Sequence, residues 1–368
     1  MSDEVNPYNS FLPGHLFAGF AEEIRQVTHG CRNGKSFAVL GGALCGRSSF
    51  LLKVEQWVNA KKAIGPETFA RAIDLGGEVP HSAFEFFALL YREVVQDCPR
   101  VEPWDEAPAM QPYQEFLKRL RRAEPAIEKR HGRDWLAVLL IDKLDLAKGA
   151  DRLDLDKGGH LEVFNNLRNL LSVDGYRRHF RLVGSGGSDM YKLVATGSPL
   201  VNILDPISLH ALTEEEADEL IAAGAIQFPE GLRRQLFDLS GRHPYILQSL
   251  LELLWEQRDD LSEAVIGQAA RRFARDRGNL FQKWVDVMGS ERRAVYQAIM
   301  AADGKATVAE LRRRSKARNI DEALRVLSFH AVIDDADDPD RPKIAGTIFR
   351  DWFERNVFEM EREVGSSS

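Results

Sequence analysis

The sequence predicts an α/β chain: a three-layer domain on a parallel sheet, then a helical segment, then three helices and a β-hairpin. Three observations predict it. Near-continuous apolar runs alternate with helical patterns up to about residue 212. Such runs suit strands buried on both faces, as a parallel sheet requires. From Thr213 onward the pattern turns helical, with capping signals at the starts. The last part reads as helix, helix, helix and two short strands split by the turn DDPD.

The strands are expected at Ser36–Gly41, Thr68–Leu75, Trp135–Asp142 and His179–Ser185, with a weaker one at Pro206–Leu212. The stretches SSFLLKVEQWVNA, SAFEFFALLYREVVQ and GHLEVFNNLRNLLSV are the helices between them. Strand–helix alternation of this kind gives a sheet covered on both faces. The charged segment PYQEFLKRLRRAEPAIEKRHGR reads as a helical insert before the third strand. TEEEADELIAAG opens on Thr213 as N-cap with acids in the first turn, where the helix dipole favours them. PEGLRRQLFDLSG and HPYILQSLLELLWEQRD continue an all-α segment to about residue 280. The closing helices are expected at Ser290–Ala302, Thr307–Lys316 and Ile320–Phe329, with strands in AVIDDA and RPKIAGTIF. Three helices followed by a hairpin is a winged-helix pattern.

Composition bounds the function. The chain has 368 residues, is 44% hydrophobic and 29% charged, and carries a net charge of −7. It can bury ordinary cores, and the charge disfavours a uniformly basic nucleic-acid binder. Cys31, Cys45 and Cys98 are too few and too scattered for a disulfide framework or a zinc site, and read as reduced thiols of a cytoplasmic protein. The N-terminus is acidic where a secretory signal is basic, and no apolar run is long enough to span a bilayer, so no membrane association is expected. The tail VGSSS reads as a disordered end.

The chemistry starts at VLGGALCGRSSFLL. The spacing Gly41-x-x-x-x-Gly46-x-Ser48 is that of a phosphate-binding loop, lying after an expected strand and before an expected helix. Gly41, Gly42 and Gly46 let backbone N–H groups turn toward an anion, and Arg47, Ser48 and Ser49 open the helix whose positive end would face it. Ser48 stands where a hydroxyl would hold Mg²⁺. The alternative is a plain glycine turn. The third strand bears on the choice: it ends VLLIDKLD, and Asp142 is a carboxylate at the tip of a neighbouring strand, suited to the metal.

These motifs in this order resemble the P-loop ATPases of the STAND type, relatives of the AAA+ proteins. The segment NPYNSFLPGHLFAGFAEEIRQV leading to GGALCGRSS resembles that group's lead-in and Walker A loop, and VLLIDKLD its Walker B strand. RLVGSGGSDMYKLVATGSPLVNILDPISLHALTEEEADELI is similar to its sensor-1 strand and the start of its lid, and SGRHPYILQSLLELLWE to a lid helix. The resemblance runs from about Asn6 to Asn356. It implies a lead-in over 1–30, a P-loop NTPase core over 31–212, a helical lid over 213–283, a winged helix over 284–360 and a tail over 361–368. It implies ATP or ADP with Mg²⁺ as cofactor, Ser48 and Asp142 at the metal, Asp142 and Ser185 as the catalytic polar residues, and Arg242 and Pro244 in the lid helix that closes on nucleotide.

Two positions depart from that pattern. Arg47 replaces the Walker A lysine, and its planar fork does not substitute for a compact ammonium. Lys143 replaces the glutamate that would orient the attacking water, and an ammonium cannot accept that water's proton. Loss of one such positioned group costs on the order of 10²–10⁴ in rate. Asp145 follows two residues on, but strand alternation places it differently. Hydrolysis is therefore expected to be weak or absent.

The winged helix raises a DNA reading. Arg312, Arg313, Arg314, Lys316 and Arg318 could meet phosphates. Asp321 and Glu322, however, open the helix that would read the groove, and the wing carries Asp334, Asp335, Asp337, Asp338 and Asp340. Acids at both contact points disfavour DNA and favour a protein partner or a homo-oligomer. His243 reads as structural, and Asp151, Asp154, Asp156 and His160 as a solvated loop rather than a metal site. The expected function is a nucleotide-binding regulatory switch or assembly protein, with defence or signalling roles implied by the resemblance alone. The alternatives are an active AAA+ ATPase acting on DNA or a partner, and a pseudo-ATPase scaffold with an empty pocket.

Overall fold

A computed structural model describes residues 6–358, apart from 11, 15, 62, 107–109, 146–158, 174, 189, 191–199, 225, 304, 316, 336 and 337. Asp151, Asp154, Asp156, Lys316, Asp337 and the tail therefore lie outside the described residues, as does the side chain of His160. The chain divides into two compact units. A sheet unit holds Ala21–Leu40 and Arg47–Ser208; a helical unit holds Met1–Phe20, Gly41–Gly46 and Leu209–Ser368.

The sheet unit runs α1 (Ala21–Arg32), β1 (Ser36–Leu40), α2 (Arg47–Lys61), β2 (Thr68–Asp74), α3 (Ala83–Val95), α4 (Pro112–His131), β3 (Leu136–Asp142), α5 (Gly159–Ser172), β4 (Phe180–Gly186) and β5 (Leu204–Ser208). The five strands are parallel in the order β2-β3-β4-β1-β5. Every residue of β1 is buried, and β3 is buried from Ala137 to Asp142, which is why both read as unbroken apolar runs. The fifth strand begins at Leu204, two residues before its expected start, and ends at Ser208. A second adjustment concerns neighbours. The first and third strands do not pair with each other, because β4 lies between them. Their carboxyl ends still share one edge of the sheet, since all strands run the same way.

Strand β2 is at an edge, and its outward amides need partners. Helix α2 supplies them: Ala72 N donates to Glu55 Oε1 at 2.9 Å, and Ala70 N to Asn59 Oδ1 at 2.9 Å. The expected charged insert is α4, and it packs. Its Phe116 and Tyr113 rings lie 5.5 and 5.3 Å from Phe87 of α3.

The helical unit runs α6 (Glu214–Ala223), α7 (Glu230–Ser240), α8 (Pro244–Leu254), α9 (Glu263–Asp276), α10 (Gly278–Ala302), α11 (Val308–Arg314), α12 (Ile320–Phe329), β6 (Ile333–Asp334), β7 (Lys343–Ile344) and α13 (Thr347–Phe353). Thr213 and Glu216 form a capping box on α6, and Thr307 and Glu310 another on α11, satisfying otherwise orphaned amides. The helix expected from Ser290 is the second half of α10, which breaks at Gly289. The hairpin is shorter than expected. Among the described residues two pair on each side, and Thr347–Phe349, expected as strand, opens the helix Thr347–Phe353. Its apolar residues Ile348, Phe349 and Phe353 recur at helical spacing and enter an aromatic core. There Phe349 lies 5.2 Å from Phe281 and 5.4 Å from Trp284, and Phe353 lies 5.0 Å from Tyr296. The N-terminal segment belongs to this unit: Tyr8 donates its hydroxyl to Ile221 O at 2.8 Å. Among the described residues no helix is long and apolar enough to cross a membrane.

Candidate nucleotide site

In the sheet unit, the carboxyl ends of β2, β3 and β4 and the start of α2 gather four of the expected residues. Asp142 ends β3, is 7% exposed, and is the hub. Ser48, in the first turn of α2, donates to its Oδ2 at 2.5 Å. Ser185 on β4, fully buried, donates to its Oδ1, and the Lys143 amide donates to the same oxygen at 3.1 Å. A buried carboxylate must be satisfied, and these three donors do it. Ser185 also accepts from the Lys143 amide at 3.1 Å, so one hydroxyl links the tips of β3 and β4.

Lys143 turns away from this network. Its backbone is left-handed (φ 57°), and its Nζ pairs with Asp74 Oδ1 at 2.8 Å. Asp74 ends β2 in register with Asp142, so the two strand tips each present an aspartate. Burial pulls the Asp74 carboxyl upward, but hydrogen bonds from Lys143, Gly76 and Gly77 outweigh it and hold the group below its ordinary range. Asp145 accepts from the Gly187 amide at 2.8 Å. It is a tether between the segments after β3 and β4.

Arg47 is the fourth member. A Cβ built on Gly187 would stand 3.0 Å from Arg47 Nη1. That nitrogen is buried and has no hydrogen-bond partner among the described residues. An orphaned guanidinium nitrogen suits an anion, and Ser48 with Asp142 supplies the hard oxygen donors that Mg²⁺ prefers. The residues present therefore fit a nucleotide phosphate with its metal. Ser49 lies in the same first turn and is half-buried.

The loop glycines belong to the helical unit and are held there. Gly41 and Gly42 are buried. The Gly42 amide donates to Phe329 O, the last carbonyl of α12, at 2.8 Å. A Cβ at Gly42 would stand 2.7 Å from His330 Cα, so only glycine allows this approach. Gly46 takes φ +88°, the left-handed region that glycine enters without cost. Cys45 is buried, with Sγ 3.7 Å from His243 Nε2. His243 caps α8 ahead of Pro244 and is 1% exposed. Burial, and then the neighbouring His330, push its pKa down to about 3, so it is neutral. Arg242 pairs with Asp334 at 2.9 Å, and Glu214 lies 3.9 Å away. Its guanidinium is thus occupied by acids of its own unit.

Sequence reasoning did not find the contacts of Gly42 with Phe329 and His330, of Lys143 with Asp74, or of Arg47 with Gly187. The apolar run SFHAVI holds no signal for the first. The Asp74 pairing was foreseeable in principle, since a carboxylate also ends the second strand.

No protein-family model matches the chain, and no curated protein matches it in sequence. Solved structures do match in shape. A Walker-type ATPase of Pyrococcus abyssi superposes with a TM-score of 0.60 at 14% identity, covering 94% of this chain and 99% of that one. The Orc1 protein of Aeropyrum pernix, solved in complex with DNA, gives 0.51 at 11% identity over 96% and 97% of the two chains. The Orc2 protein of the same organism, solved in ADPNP–ADP complexes, gives 0.51 at 11% over 96% and 98%. The fold is that of a P-loop NTPase. At such identities the likeness is one of fold, and the chemistry rests on the residues above.

Proposed function

We propose that this chain is a nucleotide-binding regulatory switch or assembly protein of the STAND type with weak or absent hydrolysis. Its output passes through a protein partner or its own assembly, as in signalling. The observation that carries this reading is the Ser48–Asp142–Ser185 network beside an Arg47 nitrogen that lacks an acceptor. In this reading Arg47 meets phosphate, and Ser48 and Asp142 hold Mg²⁺. The bound metal would neutralise phosphate charge and supply no acid or base of its own.

Hydrolysis is the step this chain supports least. A water attacking the γ-phosphate needs a carboxylate to orient it. At position 143 an ammonium stands instead, paired to Asp74, and Asp145 is committed to the Gly187 amide. Binding without turnover is what remains. Calorimetric titration with Mg-ATP and Mg-ADP, run alongside a phosphate-release assay, tests it. Saturable binding with turnover near background is the expected result. No heat at millimolar nucleotide, or steady turnover lost in Asp142→Ala, refutes it.

A second reading, the pseudo-ATPase scaffold, draws support from one contact. The Gly42 amide, which a phosphate would use, already donates to Phe329. The same titration separates the two.

A further inference from the structure

We propose that the groove between α9 and α13 of the helical unit is a binding site for single-stranded nucleic acid, seating an unpaired nucleotide with its base on Trp352 and its phosphates on Arg271, Arg275 and Arg355. The groove measures about 760 Å³. That is room for a nucleotide and its flanking phosphates. It is separate from every residue of the candidate phosphate loop.

Its chemistry runs against that of the chain. The whole protein carries −7, yet this groove is lined by three arginines and one carboxylate, Asp351. Asp351 is neutralised by Arg350 at 2.8 Å. Arg275 shares Asp276 at 3.1 Å, whereas Arg271 and Arg355 make no ion pair among the described residues. Both are exposed. Two unpaired guanidinium groups on facing elements of one concave surface form an anion-binding geometry, and arginine's fork favours phosphate.

The groove's second feature is an aromatic wall. Trp352 is half-buried, and one side of its ring is built into the core, 5.6 Å from Phe281. Gly278 at the start of α10 makes room for it, since a Cβ there would stand 2.9 Å from Trp352 Nε1. The indole is therefore fixed rather than mobile. Asn356, whose amide donates to Trp352 O at 2.7 Å, lines the same groove. A fixed aromatic face beside free arginines is how unpaired bases and their backbone are held without sequence readout, at about 1–3 kcal/mol per stacked base. A duplex hides its base faces and cannot use the tryptophan. An acidic peptide would use the arginines only.

The test uses the full chain and a fluorescein-labelled oligothymidylate of about 12 nucleotides, at about 50 mM salt. The strand carries no triphosphate, so the assay is blind to the phosphate loop. Saturable anisotropy is expected, with affinity falling as salt rises. Arg271→Gln with Arg355→Gln, both at exposed positions, should weaken binding at least about tenfold and lower the log–log salt slope by about 1.4, two phosphates' worth. Trp352→Leu should weaken it comparably without changing the slope. Duplex DNA of the same length and poly-glutamate should compete at least about tenfold less well. No binding, an unchanged affinity or slope in the double arginine variant, or equal competition by duplex or poly-glutamate overturns the proposal. Free thymidine monophosphate binding as tightly as the strand would overturn the strand as ligand.

Discussion

Acid should loosen the helical unit through a single side chain, His243. The ring is 1% exposed, lies 5.0 Å from the Trp284 ring, and faces Cys45 of the phosphate loop. In the unfolded chain a histidine titrates near 6.5; in the folded one burial and His330 push His243 to about 3. The unfolded state therefore takes up the proton first. Stability from this group is fully present above about pH 6.5 and is lost as pH falls toward 3, at about 1.4 kcal/mol per unit. Between pH 7 and pH 4 the loss is about 3 kcal/mol, a large share of the 5–15 kcal/mol typical of a folded domain. Urea denaturation of the native chain and of His243→Leu at pH 7, 5.5 and 4 isolates the effect. Other groups titrate in both proteins, so the difference between their pH slopes belongs to His243. Equal losses in the two chains from pH 7 to pH 4 would refute the reasoning. The same ring backs Cys45 in the glycine loop.

Two further outcomes follow from the loop and the strand tips. Gly42→Ala sets a methyl 2.7 Å from the His330 backbone and strains the 2.8 Å bond to Phe329. Overpacking against main chain should cost about 1–3 kcal/mol, read as a lowered urea midpoint, and an unchanged midpoint would mean the loop is not held there. Lys143→Glu replaces the ammonium with the acid the chemistry lacks and releases Asp74 from its 2.8 Å pairing. Phosphate release from Mg-ATP should rise on the order of 10²-fold, and no rise would show that position 143 does not limit turnover.

Much of this protein is decided by its sequence alone. Five strands alternate with helices because consecutive apolar residues such as LAVLLID can be buried only in a sheet covered on both faces. Helix starts at Thr213 and Thr307 follow from local capping chemistry, which needs no partner beyond three residues away. The convergence of Ser48, Asp142 and Ser185 was likewise legible, because parallel strands must bring their carboxyl ends to one edge.

Other features are set only by packing at long range. The stretch TIF reads as strand by β-branching and aromatic content, yet it is the start of α13, because Phe349 and Phe353 find Phe281, Trp284 and Tyr296 only when coiled. Lys143 is an unexplained departure in the sequence and a strand-tip ion pair in three dimensions, since β2 and β3 are neighbours only in the sheet. Arg271 and Arg355 are 84 residues apart and look like ordinary solvated charge until the fold sets them on one groove. Local propensity and periodicity act within a few residues; which side chains share a cleft depends on contacts that close long loops, and those are written only in the tertiary structure.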